Sequence, residues 1–439
     1  MLRSLEKKMI GFLDFFYFFI FKKRVGETKI VFFKDIFVSA LGNGLAGIFL
    51  FGTSILMGRM LGPAEYGKAG LAVSYGYLFL FLMAPGFNTA AVRYIANEGD
   101  EKEKGRIMTV VLTSTLASLV PVCVLFFFFY RPLSVFLQVD PLILFFGFVY
   151  AIPLALKNVF DGFTRGFRRF TLQLVARVGE AIVVFSVITF SLFFFHIRSF
   201  FVYSISLSIG LAVFCLLVFF PFFSSFGRFS FRILKKIIFY SFFAALGGVA
   251  GFLFLNINRI IVSYAVGASS VGLYMAYYTA TFTFASQFLT IFNNVFFPMV
   301  SRMPKKRDIV RKINTLNKVL AVPLFGGIVA FGYFFLYLFG KEYLFRWDWL
   351  LLFSLAAILN LFYLIDIWIV AAEGKKGIVF TTAITFCIGA INVACMYAFS
   401  TWYGVTGSVI ATVLVSFVLF LVYKIVNIFL YRYEDTQSN

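Results

Sequence analysis

The chain has 439 residues, of which 62% are hydrophobic and only 13% are charged, and its formal net charge is +20 at pH 7. Soluble domains contain about 45–50% apolar and about 25% charged residues, so this composition excludes an ordinary water-soluble globule. A positive charge of this size is also found in nucleic-acid-binding proteins, but short basic loops that orient a membrane protein explain it better. The composition therefore indicates a polytopic membrane protein that does not bind nucleic acid.

Apolar segments long enough to cross a bilayer, which takes about 20 residues of helix, follow one another along the chain. Twelve are predicted, at residues 36–58, 69–92, 107–129, 141–160, 172–195, 199–222, 237–262, 271–300, 315–339, 349–371, 378–399 and 404–429. A shorter apolar run at residues 9–21 is flanked by basic residues and is predicted to be an interfacial helix. The expected fold class is an all-α polytopic membrane protein with about 12 transmembrane helices.

The basic residues predict the orientation of these spans. Of the 39 Lys and Arg residues, thirty fall on the side of the membrane that holds the N-terminus and six on the other side. Loops rich in Lys and Arg stay in the cytoplasm, so both termini are expected to be cytoplasmic. Residues 58–67, GRMLGPAEYG, then form the first external turn.

The chain contains an internal repeat. Residues 61–67 align with residues 266–272 at an offset of 205, and Val120-Pro121 aligns with Val322-Pro323. Six spans per copy give both copies the same topology, which predicts two pseudo-symmetric six-helix bundles around an axis along the membrane normal, with a cavity between them. The expected organisation is an N-terminal interfacial segment (1–34), an N-terminal lobe (35–222), a cytoplasmic linker (223–236), a C-terminal lobe (237–430) and a cytoplasmic tail (431–439).

The turn GRMLGPAEYG, followed by GFNTAAVRYIA at residues 86–96, resembles the polysaccharide biosynthesis flippases of the multidrug/oligosaccharidyl-lipid/polysaccharide (MOP) superfamily. The second half is similar to the same family in Asn258-Arg259-Ile260-Ile261, in residues 266–274 and in Phe297-Pro298 with Ser301-Arg302. The chain departs from the family at Asn258, where members often carry an acid, so a coupling carboxylate at that position is not expected.

The resemblance implies a MATE-like two-lobed carrier in the plasma membrane that flips a lipid-linked oligosaccharide from the inner to the outer leaflet. It implies no enzyme activity and no ATP hydrolysis, and no cofactor beyond a coupling proton or sodium ion. Expected partners are the substrate, membrane lipids and other polysaccharide assembly proteins, and the chain is expected to act as a monomer. The alternatives are an ion-coupled exporter of drugs or small cations and, from another class, a membrane glycosyl- or acyltransferase, for which the external loops are too short and too poor in acids.

Polar residues inside the predicted spans are the candidate substrate contacts. Arg259 lies deeper in the membrane than Arg59 and is the better candidate for a phosphate contact, while Arg59 is either a snorkelling residue or part of the cavity wall. Asn258 is expected to bind sugar hydroxyls or a neighbouring helix, and Asn43 is a further candidate for substrate binding.

Three further residues are candidates for ion coupling or gating. Arg177 and Glu180 lie three residues apart on one face of the fifth span, and they are expected to form an internal salt bridge or a switchable pair in which Glu180 takes up protons. Asp366 in the tenth span is either a coupling carboxylate or one member of an inner-gate pair with a basic residue.

Overall fold

The computed structural model describes residues 27–283, 285, 307–371 and 375–432, and every regular element in these ranges is helical. The helices are α1 (Glu27–Met83), α2 (Phe87–Asn97), α3 (Glu101–Phe136), α4 (Pro141–Gly166), α5 (Phe170–Phe193), α6 (Phe200–Phe222), α7 (Phe231–Leu255), α8 (Ile257–Val266), α9 (Ala268–Tyr278), α10 (Arg307–Phe339), α11 (Trp347–Ala371) and α12 (Lys375–Arg432). A 3₁₀ turn, Phe223–Ser225, follows α6, and a π-helical turn, Thr279–Thr283, follows α9. The predicted interfacial helix at residues 9–21 lies outside the described residues.

Within the described ranges, nine helices are long and apolar enough to cross a membrane. Two of them, α1 and α12, each contain a glycine with non-helical backbone angles, Gly62 and Gly404, so each is a pair of helices joined at a kink. These pairs correspond to the first two and the last two predicted spans. The second half of the predicted span at 271–300 lies outside the described residues, so the count of twelve stays a prediction.

Two predicted spans are interrupted. The second, at 69–92, is wrong as a single helix because α1 ends at Met83 and α2 begins after Gly86, whose φ of 69° is left-handed. The seventh, at 237–262, begins earlier, at Phe231, and breaks at Asn256. The carbonyl of Leu253, near this break, accepts a hydrogen bond of 2.7 Å from the side chain of Asn392, which replaces part of the interrupted helical ladder.

The two repeat-related turns meet at the predicted outer end of the molecule. Gly62 and Gly267, one repeat offset apart, both have positive φ, at 71° and 107°. A Cβ on Gly67 would overlap the backbone of Ala268, and a Cβ on Gly272 would overlap the backbone of Pro63. These contacts are reciprocal under the offset of 205, which is the pattern of a local two-fold relation between the turns. The outer end is therefore closed, with backbone against backbone.

One continuous buried core runs through both halves of the chain, with Met57 and Leu71 from the first and Val271 and Phe353 from the second. Many phenylalanines instead lie on the outside, as Phe127 and Phe136 do at 74% and 80% exposure. In water such surfaces would aggregate, whereas in a bilayer they face lipid tails. The protein is thus a multi-pass membrane protein with its polar groups directed inward.

Candidate functional site

Arg259 lies in the first turn of α8, directly after the break at Asn256, and its side chain is partly buried. Its guanidinium interacts electrostatically with four tyrosines; we call this set the tyrosine ring, and it consists of Tyr66, Tyr203, Tyr274 and Tyr278. The N-terminal half contributes Tyr66 and Tyr203, and the C-terminal half contributes the other two. Arg259 therefore lies where the two halves of the chain face each other.

No carboxylate among the described residues forms an ion pair with Arg259. The π-helical turn Thr279–Thr283 follows directly after Tyr278 of the tyrosine ring. Such turns are frequent at functional sites because they displace side chains from regular helical positions. An unneutralised cation inside a membrane protein is costly and usually serves a cavity or a ligand. The site can therefore accept an anion, with phenol hydroxyls and ring faces beside it.

Asn258, the neighbour of Arg259, is engaged by other helices. Its side-chain oxygen accepts a hydrogen bond of 2.7 Å from Asn392 in α12, and its amide lies 3.5 Å from the hydroxyl of Tyr274. That hydroxyl is 3.0 Å from Thr412. Of the two expected roles of Asn258, the structure places it in contact with neighbouring helices, where it supports Tyr274 of the tyrosine ring.

The expected salt bridge between Arg177 and Glu180 is wrong, because each side chain of α5 pairs with α4 instead. Lys157 lies 2.7 Å from Glu180, and Arg177 lies 2.7 Å from Asp161. Arg177 also donates a hydrogen bond to Asn43 of α1, so Asn43 is part of this cluster. We call these five residues the α4–α5 ion-pair cluster.

Asp366 of α11 is fully buried and lies 2.8 Å from Lys424 of α12. Neither carboxylate oxygen accepts a well-aligned hydrogen bond among the described residues, so the contact is an ion pair. Lys424 also donates to Asn314 of α10. The expected basic partner of Asp366 is thus present, and both residues belong to the C-terminal half of the chain.

Lys157, Asp161 and Lys424 were not among the residues predicted from the sequence as site candidates. Lys157 lies in α4 and Lys424 lies in α12. A usable signal was present: α4 carries a base and an acid four residues apart, and α5 carries a base and an acid three residues apart. On antiparallel neighbouring helices this order matches Lys157 to Glu180 and Asp161 to Arg177.

Breaking one pair of the α4–α5 cluster is expected to destabilise the protein. Lys157→Met leaves Glu180, which is 5% exposed, without its partner. Loss of one member of a buried pair costs about 3–5 kcal/mol, whereas an apolar replacement of both members is often neutral. We expect Lys157→Met to lower the melting temperature in detergent and Lys157→Met/Glu180→Met to restore most of it. A double variant as unstable as the single one would contradict this interpretation.

Arg59 is exposed at the end of the first part of α1, just before the kink at Gly62. It lines a cavity of about 740 Å³, which we call the outer cavity and to whose lining Arg259 does not contribute. This cavity is also lined by Tyr277, Tyr333, Tyr337, Lys341 and Trp347 from the C-terminal half. The repeat offset of 205 aligns Arg259 with Ser54, which lies five residues before Arg59 in α1. Five residues turn a helix by about 140°, so the side chains of Ser54 and Arg59 point in different directions.

Comparison with solved structures shows the same fold in transporters of the MOP superfamily. The lipid II flippase MurJ in an inward closed conformation superposes with a TM-score of 0.64 at 14% identity, over 90% of this chain and 87% of that chain. An inward-facing multidrug resistance MATE transporter gives 0.59 at 16% identity, over 89% and 94%. A MOP superfamily transporter from Pyrococcus furiosus gives 0.51 at 14% identity, over 92% and 96%.

No curated protein matches the chain significantly in sequence. The sequence profile of the polysaccharide biosynthesis protein family matches residues 32–304, which is more than half of the chain. This range includes both outer turns, all four residues of the tyrosine ring and the α4–α5 ion-pair cluster. The chain therefore belongs to the polysaccharide biosynthesis protein family.

Proposed function

We propose that the protein moves an oligosaccharide linked to an isoprenoid phosphate or pyrophosphate from the inner to the outer leaflet of the plasma membrane. The observation that carries this proposal is Arg259, a cation without a carboxylate partner among the described residues, which interacts with tyrosines from both halves of the chain. A guanidinium binds phosphate oxygens in a bidentate manner. Tyrosine hydroxyls and ring faces suit the sugar, and the lipid tail stays in the bilayer.

The proposed architecture is two six-helix bundles with cytoplasmic termini that alternate access to the site. The reciprocal contact of the outer turns supports it, because separating two symmetric contact surfaces opens a path to the outside. An ion gradient or the withdrawal of the product drives the translocation, without ATP hydrolysis. We propose Glu180 and Asp366 as the coupling carboxylates, each releasing its lysine partner when it takes up a proton. The carrier is proposed to act as a monomer and to have no enzyme activity.

The rival function is a MATE-like export of drugs or small cations. A cation site needs a carboxylate that is free to face the substrate. The three acids buried in the described membrane helices, Asp161, Glu180 and Asp366, all have a basic partner at 2.7–2.8 Å. The charge that is left without an opposite partner at the interface of the halves is positive, which favours an anionic substrate.

The test is transport by purified protein in liposomes without nucleotide. A fluorescent lipid-linked oligosaccharide is placed in the inner leaflet, and its appearance outside is followed with a membrane-impermeant quencher. In parallel, the same liposomes are loaded with a fluorescent organic cation. We expect translocation of the lipid-linked sugar and no cation efflux above empty liposomes. Cation efflux without sugar translocation would replace this proposal with the rival function.

A further inference from the structure

We propose that the outer cavity binds the phosphate-bearing head group of an amphiphile in the outer leaflet and thereby holds the outer ends of the two halves together. This inference rests on the proposed function for its orientation in the membrane and for one of the two sources of the phosphate. The sources are an anionic phospholipid and the lipid-linked saccharide after its translocation.

The outer cavity carries two cations, one from each half of the chain. Arg59 comes from α1, in the N-terminal half, and Lys341 comes from the loop after α10, in the C-terminal half, and both line the outer cavity. No acid among the described residues forms an ion pair with either of them. The nearby Asp348 is paired with Arg346 at 2.6 Å, and the Glu342 carboxylate lies against Gly62. Two like charges facing one cavity repel each other, and an anion between them converts this repulsion into attraction from both sides.

Ring stacking and hydrogen bonds hold the wall of the outer cavity in place. Tyr333 and Trp347 stack in parallel with ring centroids 5.6 Å apart. The Tyr277 hydroxyl donates to the carbonyl of Leu344 at 2.9 Å and accepts from the backbone N–H of Arg346 at 2.7 Å, which holds the loop in place. Rigid pockets with aromatic walls and a few polar groups are typical of ligand sites. An aromatic belt at the membrane surface explains exposed tyrosine and tryptophan, but not a concave site with two cations.

The lining of the outer cavity comes from both halves of the chain, so the cavity depends on the closed outer end. The Tyr343 hydroxyl donates to the carbonyl of Gly58 at 2.9 Å, so the loop of the C-terminal half contacts α1 beside Arg59. Tyr66 of the N-terminal half also packs on Phe339, with centroids 5.7 Å apart. Separation of the halves would pull Arg59 away from Lys341. A ligand that contacts both cations therefore binds the closed arrangement better and shifts the equilibrium toward it.

The binding experiment uses full-length protein in neutral detergent, with Arg259→Gln as the background so that the site inside the tyrosine ring does not contribute. The probes are fluorescent phosphatidylglycerol and a fluorescent short-chain polyprenyl-pyrophosphate disaccharide. We expect saturable binding of at least one probe, weakened about tenfold or more by Arg59→Gln/Lys341→Gln. Arg198→Gln, which removes an exposed cation outside the cavity, is the matched control. The charge-retaining Arg59→Lys/Lys341→Arg should keep most of the affinity, which separates charge from folding.

The probe that responds identifies the source of the phosphate. If Arg59→Gln/Lys341→Gln weakens the binding of both probes no more than the Arg198→Gln control does, the outer cavity is not a phosphate-binding site. For closure, spin labels replace Phe195 and Trp402, which are 60% and 71% exposed at the predicted outer ends of α5 and of the first part of α12. Binding of the probe should shift the distribution of distances between the two labels toward shorter values. An unchanged distribution would show that the ligand does not hold the two halves together. Failure of the proposed function would instead appear as absent translocation by the wild-type protein.

Discussion

Arg259→Gln is expected to reduce translocation of a lipid-linked oligosaccharide by about 150-fold, because loss of a desolvated charge contact costs about 3 kcal/mol. Glutamine keeps hydrogen-bonding capacity and much of the side-chain length but has no charge. Arg259→Lys should be intermediate, since a lysine supplies a point charge without the planar fork that grips two phosphate oxygens. The measurement is the initial translocation rate in liposomes at equal protein density.

The matched control is Lys318→Gln, which removes an exposed cation from α10, away from the tyrosine ring. It should translocate at the wild-type rate. Each variant must elute from size-exclusion chromatography as the wild type does, so that a folding defect is not counted as a transport defect. Wild-type translocation by a well-folded Arg259→Gln protein would remove Arg259 from the mechanism.

The second large effect is expected at the two outer turns. In Gly67→Ala/Gly272→Ala, each new Cβ meets the backbone of the opposite turn, which cannot move aside as a flexible side chain would. Overpacking of this kind costs about 1–3 kcal/mol. If the closed arrangement alone carries this cost, the ratio of open to closed molecules rises by about 5- to 150-fold. Spin labels at positions 195 and 402 should then report longer distances, and translocation should slow.

Gly44→Ala is the control for this experiment. It lies in the same helix, α1, and a Cβ at that position meets nothing within 4 Å. The label distances and the translocation rate should therefore match those of the wild type. A Gly67→Ala/Gly272→Ala protein with unchanged label distances but a lower melting temperature would show that the contact only stabilises the fold.

Most of the fold follows from the sequence because length and hydropathy are enough to identify membrane helices. The repeat offset of 205 also predicted which turns are equivalent, and the structure places those turns in reciprocal contact. The break at Asn256 could not be predicted, since no glycine or proline marks it and its stabilising partner, Asn392, lies 136 positions away in the chain. Long-range hydrogen bonds of this kind leave no local pattern.

The candidate site was predictable only in part. Arg259 was identified because a cation deep in a span is costly and needs a reason. The tyrosine ring was not, because its members come from α1, α6 and α9 and carry no spacing signal. The pairing of Arg177 and Glu180 was wrong because proximity on one helix competes with neighbouring helices, and antiparallel α4 offered both side chains a closer partner. Arg59 was predicted to be a snorkelling residue or part of a cavity wall, and it lines the outer cavity, which is formed mainly by residues far away in the chain.

Recognition of the phosphate of a lipid-linked sugar by Arg259 can be measured with two substrates that differ only in the linkage, one a pyrophosphate and the other an uncharged ether. We expect the wild type to translocate the pyrophosphate-linked sugar much faster than the ether-linked sugar. This preference should disappear in Arg259→Gln, since the ether linkage and the substitution each remove the same interaction. An equal preference in the two proteins would show that Arg259 does not recognise the phosphate.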